Sequence, residues 1–240
     1  MIDKAEIDKL LSEAIRHFWT TRLAQGAKQK KGGRTDQGAR CEVTGGAQMD
    51  GFVKIIKEVI CSNGFDRNNI FEKTCIQLPG YFRPEKQWDL AIVKDGSLVA
   101  AIEVKSQVGP SFGNNFNNRT EEALGSSEDL WTAYREGAFK ASPQPWIGYL
   151  IVLEDCEASQ RPVKVVEPHF EVFPEFKKAS YAKRYELFCR KLILERKYTS
   201  AAFIISERAD GKSGQFAEPA EDLTFYNFLK SLQAHVGAFI

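Results

Sequence analysis

The sequence predicts an α/β fold in which helices cover both faces of a mixed β-sheet. Two apolar runs, 146–153 (WIGYLIVL) and 200–206 (SAAFIIS), are short and continuous, which is typical of buried strands. Helical segments separate these runs, and strands that alternate with helices usually form such a sheet. The chain of 240 residues fits one large domain, and neither a repeat nor a low-complexity linker divides it. We therefore expect a single domain over 1–240.

The N-terminal part is predicted to consist of two helices and a long loop. Residues 3–20 place apolar side chains at the spacing of one helical face, and Asp3 with Glu6 can form a capping box. Residues 24–47 contain six glycines and no helical period, so a loop is expected there. Residues 49–61 again have apolar side chains on one helical face.

A hairpin is predicted in the middle of the chain. The apolar-rich runs 88–94 and 98–105 flank Asp95-Gly96, a dipeptide that favours a tight turn between two strands. Residues 74–79, before this hairpin, also look extended.

The rest of the chain is predicted to alternate between helices and the two buried strands. Residues 106–117 are rich in Gly and Asn, which indicates a loop, and Asn118 can cap a helix over about 119–139. Further helices are expected over 174–197 and 220–236.

The composition excludes several classes of protein. Five cysteines without CxxC spacing argue against a disulfide scaffold and a zinc knuckle. No apolar run approaches the length of a membrane span, and the N-terminus has no secretory signal, so we expect a cytoplasmic protein without membrane contact. The net charge is only +1, but residues 22–40 contain six basic residues and one acid, which is a candidate phosphate-binding feature.

The predicted hairpin carries the residues that indicate chemistry. Glu103 and Lys105 are two apart in a strand and point to one face, about 6.6 Å apart along it. Asp89 lies on the partner strand, so two carboxylates and one ammonium can converge. Two close carboxylates repel each other unless a cation lies between them, and Mg²⁺ suits an oxygen-only site. This arrangement suits phosphodiester hydrolysis, with Lys105 holding the attacking water and phosphate oxygens. A short motif of this kind also arises where charged surface residues happen to lie at the end of a strand.

The register of the hairpin sets a condition on this hypothesis. A strict two-residue turn at Asp95-Gly96 would pair Asp89 with Ile102 and place Asp89 and Glu103 on opposite faces. A three-residue connection or a β-bulge restores the common face, and Gly96 is a suitable bulge residue.

Long stretches of the sequence closely resemble the XhoI-type restriction endonucleases, within the PD-(D/E)xK nuclease superfamily. The resemblance covers nearly the whole chain and includes the segments 35–38, 43–46, 49–52, 78–84, 103–125 and 129–139. It implies a restriction-endonuclease-like fold and a Mg²⁺-dependent homodimer. Such a dimer cuts double-stranded DNA at the palindrome CTCGAG and leaves 5′-phosphate ends with 5′ overhangs. A companion DNA methyltransferase would protect the same site, without a stable complex between the two proteins.

The superfamily motif falls on Asp89, Glu103 and Lys105, with Asp89 and Glu103 as metal ligands. Trp88 stands where the motif name has Pro. Many superfamily members use one more acid from the preceding helix, and Glu58 is the candidate, although it can instead pair with Lys54 on the solvated face.

Other candidate residues follow from position and residue type. Gln107 shares the face of Glu103 and Lys105, where it can position water or substrate, and the three histidines are interpreted as structural. The helix and basic loop within 1–48 are expected to be a DNA-binding extension. The predicted DNA-contacting residues are Lys30, Lys31, Arg34, Arg40, Asn114, Asn115, Asn117, Asn118, Arg119 and Lys212. As an alternative, the basic residues are solvated surface charges, and the Asn side chains form hydrogen bonds with the local backbone.

Two other functions fit the same residues. One is a non-catalytic DNA-binding α/β module, and the other is a structure-directed repair nuclease of the same superfamily. The presence of all three motif residues argues against the first.

Overall fold

A five-stranded mixed β-sheet forms the centre of the protein, as predicted. The computed structural model describes residues 3–31 and 46–240, and of residues 26–31 it describes only the backbone. The strands of this sheet are β1 (Ile70–Glu72), β4 (Leu90–Lys94), β5 (Ser97–Gln107), β6 (Trp146–Asp155) and β7 (Ser200–Glu207). Their order across the sheet is β1-β4-β5-β6-β7. β1, β4 and β5 are antiparallel, whereas β5, β6 and β7 are parallel. A separate hairpin pairs β2 (Gln77–Pro79) with β3 (Glu85–Gln87).

Helices cover both faces of this sheet. Helices α1 (Lys4–Lys31), α2 (Asp50–Ser62) and α6 (Phe225–Gly237) pack on one face, and α3 (Phe112–Arg135) and α5 (Tyr181–Leu194) pack on the other. A single turn, α4 (Glu157–Gln160), follows β6. Successive residues of the inner strands enter opposite cores, so the sheet is buried on both sides. Within the described residues, no helix is both long enough and apolar enough to cross a bilayer.

Helix α1 belongs to this core and is longer than predicted. Among residues 4–25, whose side chains are described, six are buried, and Phe18 and Trp19 are almost inaccessible to solvent. The predicted end near residue 20 and the predicted loop from residue 24 are wrong, because the helix continues to Lys31. Residues 21–31 are mostly good helix formers with few apolar side chains, so they can be helical without showing a buried face. Residues 32–45 of the predicted loop lie outside the described part of the chain.

Helix α3 begins seven residues earlier than predicted. The segment 112–117, predicted as loop, and Asn118, predicted as N-cap, lie inside the helix. Tertiary packing outweighs the local Gly/Asn composition here, since Phe112 stacks on Tyr181 at 5.9 Å between ring centroids and Phe116 meets Tyr185 at 5.0 Å. The helix also ends at Arg135, four residues before the predicted end.

A β-bulge sets the register between β4 and β5. The turn at Asp95-Gly96 has two residues, with φ of 51° and 76°, and it pairs Lys94 with Ser97. The ladder then shifts, because Val93 pairs with Leu98 but Ile92 pairs with Ala100, which leaves Val99 as the extra residue. The shift required by the nuclease hypothesis is thus present, but Val99 forms the bulge and not Gly96.

Side chains from two other elements bind the backbone at this bulge. Leu98 N–H donates to Ser142 Oγ at 3.1 Å, and His235 Nε2 on α6 lies 3.1 Å from the Val99 carbonyl oxygen. Burial lowers the pKa of His235 below its ordinary value. The neutral ring can donate one N–H to this carbonyl, so His235 has a structural role at the bulge.

The β2–β3 hairpin, which we call the arm, is fastened to the main domain at both ends. At its base, Ile76 and Trp88 are buried in the same core as Leu130 and Ala133 of α3. At its tip, the buried carboxylate of Asp129 on α3 accepts hydrogen bonds from Tyr81 N (2.6 Å), Phe82 N (2.8 Å) and Arg83 Nε (2.5 Å). One side chain of α3 therefore fixes the turn that joins β2 to β3.

The Asp129→Asn variant is expected to lose about 2 kcal/mol of unfolding free energy at neutral pH, because an amide cannot serve all three donors. Burial acts to raise the pKa of Asp129, but the hydrogen bonds from Arg83 and the two backbone N–H groups outweigh it and hold the pKa below its ordinary value. The stabilisation is therefore complete above the pKa of about 3.9 of an unfolded Asp and is lost as pH falls through the native pKa. Urea denaturation of both proteins between pH 7 and pH 3 measures this difference, and a pH-independent difference would contradict it.

Candidate active site

The three predicted catalytic side chains meet where β4 and β5 adjoin. The register shift at Val99 pairs Leu90 with Ile102, which brings the preceding Asp89 beside Glu103. Asp89 Oδ2 accepts hydrogen bonds from Val104 N at 2.8 Å and from Lys105 Nζ at 2.9 Å. Lys105 Nζ also forms an ion pair with Glu103 Oε2. The ammonium group of Lys105 thus lies between the two carboxylates, and the predicted convergence of the three side chains is present.

Glu103 is buried in a strongly cationic environment. Only 2% of the residue is exposed, and its Oε1 accepts a hydrogen bond from Lys86 Nζ on the arm. The ammonium of Lys86 also lies 4.4 Å from the ring centroid of Trp88. Burial, and then the charge of Lys105, lowers the pKa of Lys86 to about 7. The carboxylate therefore has two lysine partners, which offset the cost of its burial.

Sequence analysis missed Lys86. It lies in a three-residue strand, which is too short to show a periodic pattern, and its partner is seventeen positions away. The one available signal was its position three residues before Asp89, and that signal is too weak to select it from other lysines.

Two adjoining cavities, of about 460 and 450 Å³, open beside this cluster. Asp89 lines the first cavity and Glu103 lines the second, whereas Lys105, Gln87 and Arg119 line both. The cations of Lys105 and Arg119 therefore lie where the two cavities adjoin. The Nη1 atom of Arg119 also forms an ion pair with Glu122 Oε2 at 2.5 Å within the same helix.

The oxygen atoms of this site fit a hydrated divalent cation. Mg²⁺ commonly binds through one or two carboxylates and keeps water and substrate phosphate as its other ligands. Asp89 and Glu103 supply two carboxylates. The buried Oε2 of Glu103 forms the ion pair with Lys105 but accepts no hydrogen bond from the described residues. Within 3–31 and 46–240, no cluster of three or more Asp, Glu, His or Cys residues is arranged to hold a metal. The fit therefore depends on water and substrate as additional ligands.

Gln48 is a second polar residue that sequence analysis missed. It is 5% exposed and lines the first cavity with Asp89 and Lys105. Its Oε1 is buried and accepts no hydrogen bond from the described residues. A carbonyl oxygen in this position can accept a hydrogen bond from water, but a lone Gln after a glycine-rich segment carries no motif that would have revealed it.

Two of the predicted supporting residues lie away from the cavities. Glu58 forms an ion pair with Lys54 at 3.7 Å on the exposed side of α2, which is the alternative to a role as metal ligand. Gln107 is 2% exposed, donates from Nε2 to the Phe112 carbonyl at 2.9 Å and accepts from the Tyr185 hydroxyl. Its amide connects β5 to the start of α3, and its predicted role toward water or substrate stays a prediction.

The predicted DNA-contacting residues are distributed over several elements. Asn114, Asn117 and Asn118 are exposed on one face of the first turns of α3, Asn115 is partly buried, and Arg119 points to the cavities. Lys212 is exposed in a short 3-10 turn after β7. The structure describes only the backbone of Lys30 and Lys31, at the end of α1, and Arg34 and Arg40 lie outside the described residues.

Comparison with known proteins gives a consistent result. The family model described as "Restriction endonuclease XhoI" matches residues 28–218. The type II restriction enzyme BstVI of Geobacillus stearothermophilus is 55% identical over 86% of this chain and 95% of its own length. The type II restriction enzyme XhoI of Xanthomonas vasicola is 47% identical over 81% of this chain and 78% of its own. AbrI of Azospirillum brasilense, a third type II restriction enzyme, is 48% identical over 70% of this chain and 76% of its own. No solved structure matches the chain.

Proposed function

We propose a metal-dependent cleavage mechanism for this chain, which belongs to the XhoI restriction endonuclease family and is thereby a type II site-specific deoxyribonuclease. The proposed reaction is Mg²⁺-dependent hydrolysis of phosphodiester bonds in double-stranded DNA at a short palindrome, CTCGAG. The products carry 5′-phosphates on 5′ overhangs. The observation that carries the proposal is the convergence of Asp89, Glu103 and Lys105, made possible by the bulge at Val99.

Each residue of the cluster has a role that follows from its position. Asp89 and Glu103 would hold Mg²⁺, which when bound supplies Lewis-acid stabilisation of the charge that develops on the phosphodiester. Lys105, placed between the two carboxylates, orients the attacking water and binds a phosphate oxygen. Arg119, on the walls of both cavities, binds a neighbouring phosphate through its guanidinium.

The surface around the cluster suits duplex DNA. Phosphate contacts position a protein on DNA, whereas contacts with base edges carry the sequence information. The exposed amides of Asn114, Asn117 and Asn118 precede Arg119 on the same helix, and Asn pairs well with adenine in the major groove. We assign base contacts to this face of α3, and phosphate contacts to Lys30, Lys31, Arg34, Arg40 and Lys212. The amide of Asn115, which is partly buried, is assigned to the same DNA-contacting part of α3.

A palindromic site requires two copies of the catalytic cluster. Two-fold symmetry of the protein matches that of the DNA, so each subunit of a homodimer cuts one strand. A companion methyltransferase acting on the same sequence protects the DNA of the cell, which we place in the cytoplasm.

Cleavage is expected to depend on Mg²⁺ and on the Glu103 carboxylate. With Mg²⁺, the protein should convert a plasmid that has one CTCGAG site to a single linear product, and EDTA should prevent the reaction. The Glu103→Gln variant should cleave about 100-fold more slowly or worse, since it loses several kcal/mol of transition-state stabilisation. Its matched control is Glu195→Gln, which removes an exposed carboxylate paired with Lys191 at the end of α5 and should cleave as the wild type does.

The outcomes of this digest separate the proposed activity from its assigned sequence. Discrete fragments from a genome, without cleavage of the plasmid, would keep the nuclease and reject CTCGAG. Cleavage at ends or flaps would favour the repair nuclease, and full activity of Glu103→Gln would refute the catalytic role of Glu103.

The Lys105→Ala variant distinguishes a nuclease from a DNA-binding module. It should lose cleavage to a similar extent, because water and phosphate lose their common contact. Its affinity for the CTCGAG duplex should change by about threefold or less, as expected for one phosphate contact among several. Gel-shift titration and single-turnover cleavage measure the two effects. Wild-type cleavage by this variant would remove Lys105 from the mechanism.

A further inference from the structure

Two large aromatic side chains stand exposed at the tip of the arm. Tyr81 is 56% exposed and Phe82 is 70% exposed, and their rings meet edge to face with centroids 5.5 Å apart. Neither aromatic ring is among the core residues. A pair of exposed aromatic rings on one turn is unfavourable in water, so the pair indicates a contact surface.

The turn that presents these rings is rigid. The Asp129 carboxylate binds the backbone N–H of both aromatic residues, and Gly80 N–H donates to the Pro84 carbonyl at 3.3 Å. The fit around the carboxylate is close, because a Cβ atom on Gly80 would lie 2.4 Å from Asp129 Oδ2. A buried carboxylate is thus used to hold a surface turn, which reduces the entropy that the rings would lose on binding a partner.

The arm connects these rings to the catalytic cluster. Four residues beyond Phe82, Lys86 binds Glu103, and Arg83 and Gln87 line the catalytic cavities. Four extended residues span at most about 13 Å, so the tip lies within reach of the same DNA duplex that enters the cleft. Arg83, which pairs with Asp129 beside the tip, is half exposed and lines the second cavity.

A second group of exposed aromatic residues lies away from the arm in sequence. Phe170 and Phe173, in the irregular segment after β6, are 88% and 72% exposed. Neither residue lines the catalytic cavities, and Lys177 nearby pairs with Glu167 and Glu171. Position relative to the catalytic cavities therefore separates the arm tip from this other surface.

We propose that Tyr81 and Phe82 form an aromatic wedge that contacts the bases of the bound DNA beside the cleavage site. The inference rests on the proposed function and adds to it a contact that the catalytic residues do not supply. Rigid apolar side chains that enter a groove can partly unstack a base step, and base–aromatic stacking tolerates every base. The wedge thus positions the duplex and contributes affinity, whereas hydrogen bonds elsewhere read the sequence.

The experiment compares the double variant Tyr81→Ala/Phe82→Ala with wild type and with Phe170→Ala, which removes an exposed ring from the irregular segment after β6. Each full-length protein is titrated, in Ca²⁺ in place of Mg²⁺, against a CTCGAG duplex with 2-aminopurine beside the site. The double variant should bind about tenfold more weakly and lose the fluorescence increase that reports unstacking. Phe170→Ala should match wild type, and Phe82→Trp, which keeps a ring, should retain binding.

Each result has a defined meaning. Unchanged melting temperature and oligomeric state with weakened binding supports the wedge. Wild-type affinity and fluorescence in the double variant overturns it, and so does a dimer that dissociates in sedimentation, because the rings would then contact a second copy of the chain. If wild-type protein neither binds nor cleaves the duplex, the proposed function fails. If wild-type protein cleaves and the double variant behaves like it, only the wedge fails.

Discussion

The extra residue at Val99 is the constraint on which the meeting of Asp89, Glu103 and Lys105 depends. Side chains alternate between the faces of a sheet, so a shift of one residue moves every side chain of a strand to the other face. β5 is held in continuous register with β6 from Ala100 to Gln107, so Glu103 and Lys105 are fixed from that side. The shift can be absorbed only on the β4 side of β5, and there it brings Asp89 beside Glu103. Ser142 and His235 stabilise this local irregularity by binding the backbone at the bulge.

The charges at the site follow from that geometry. A carboxylate as deeply buried as Glu103 is costly unless cations and hydrogen bonds compensate for its lost hydration. Lys105 comes from the same strand and Lys86 from the arm, so two separately positioned elements share the compensation. Crowding two ammonium groups around one carboxylate also has a consequence for them, since Lys105 contributes to the low pKa of Lys86. The site is thus a balanced cluster of charges, in which a bound cation or phosphate would alter every member.

The sequence predicted the sheet and the meeting of Asp89, Glu103 and Lys105 better than the ends of the helices. β6 and β7 were predictable because continuous apolar runs report burial on both faces, and that burial is what the structure shows. The end of α1 and the start of α3 were not, because exposed or Asn-rich helical turns have no apolar period. Contacts distant in sequence, such as Phe116 with Tyr185, decide the start of α3. A register shift, by a bulge or a longer connection, was predicted from the chemistry of the site, but the position of the bulge depends on partners such as His235, which lies 136 residues away.

The arm shows why local signals were least informative where the site needs most precision. Its strands have three residues each, too few to be stable alone, so three outside contacts hold it. These are the burial of Trp88 in the core, the Asp129 carboxylate at the tip and the ion pair of Lys86 with Glu103. Three anchors on a short hairpin leave little freedom for it to move independently. The exposed tip and Lys86 are thus parts of one anchored hairpin, which fixes the position of the tip relative to the buried carboxylate.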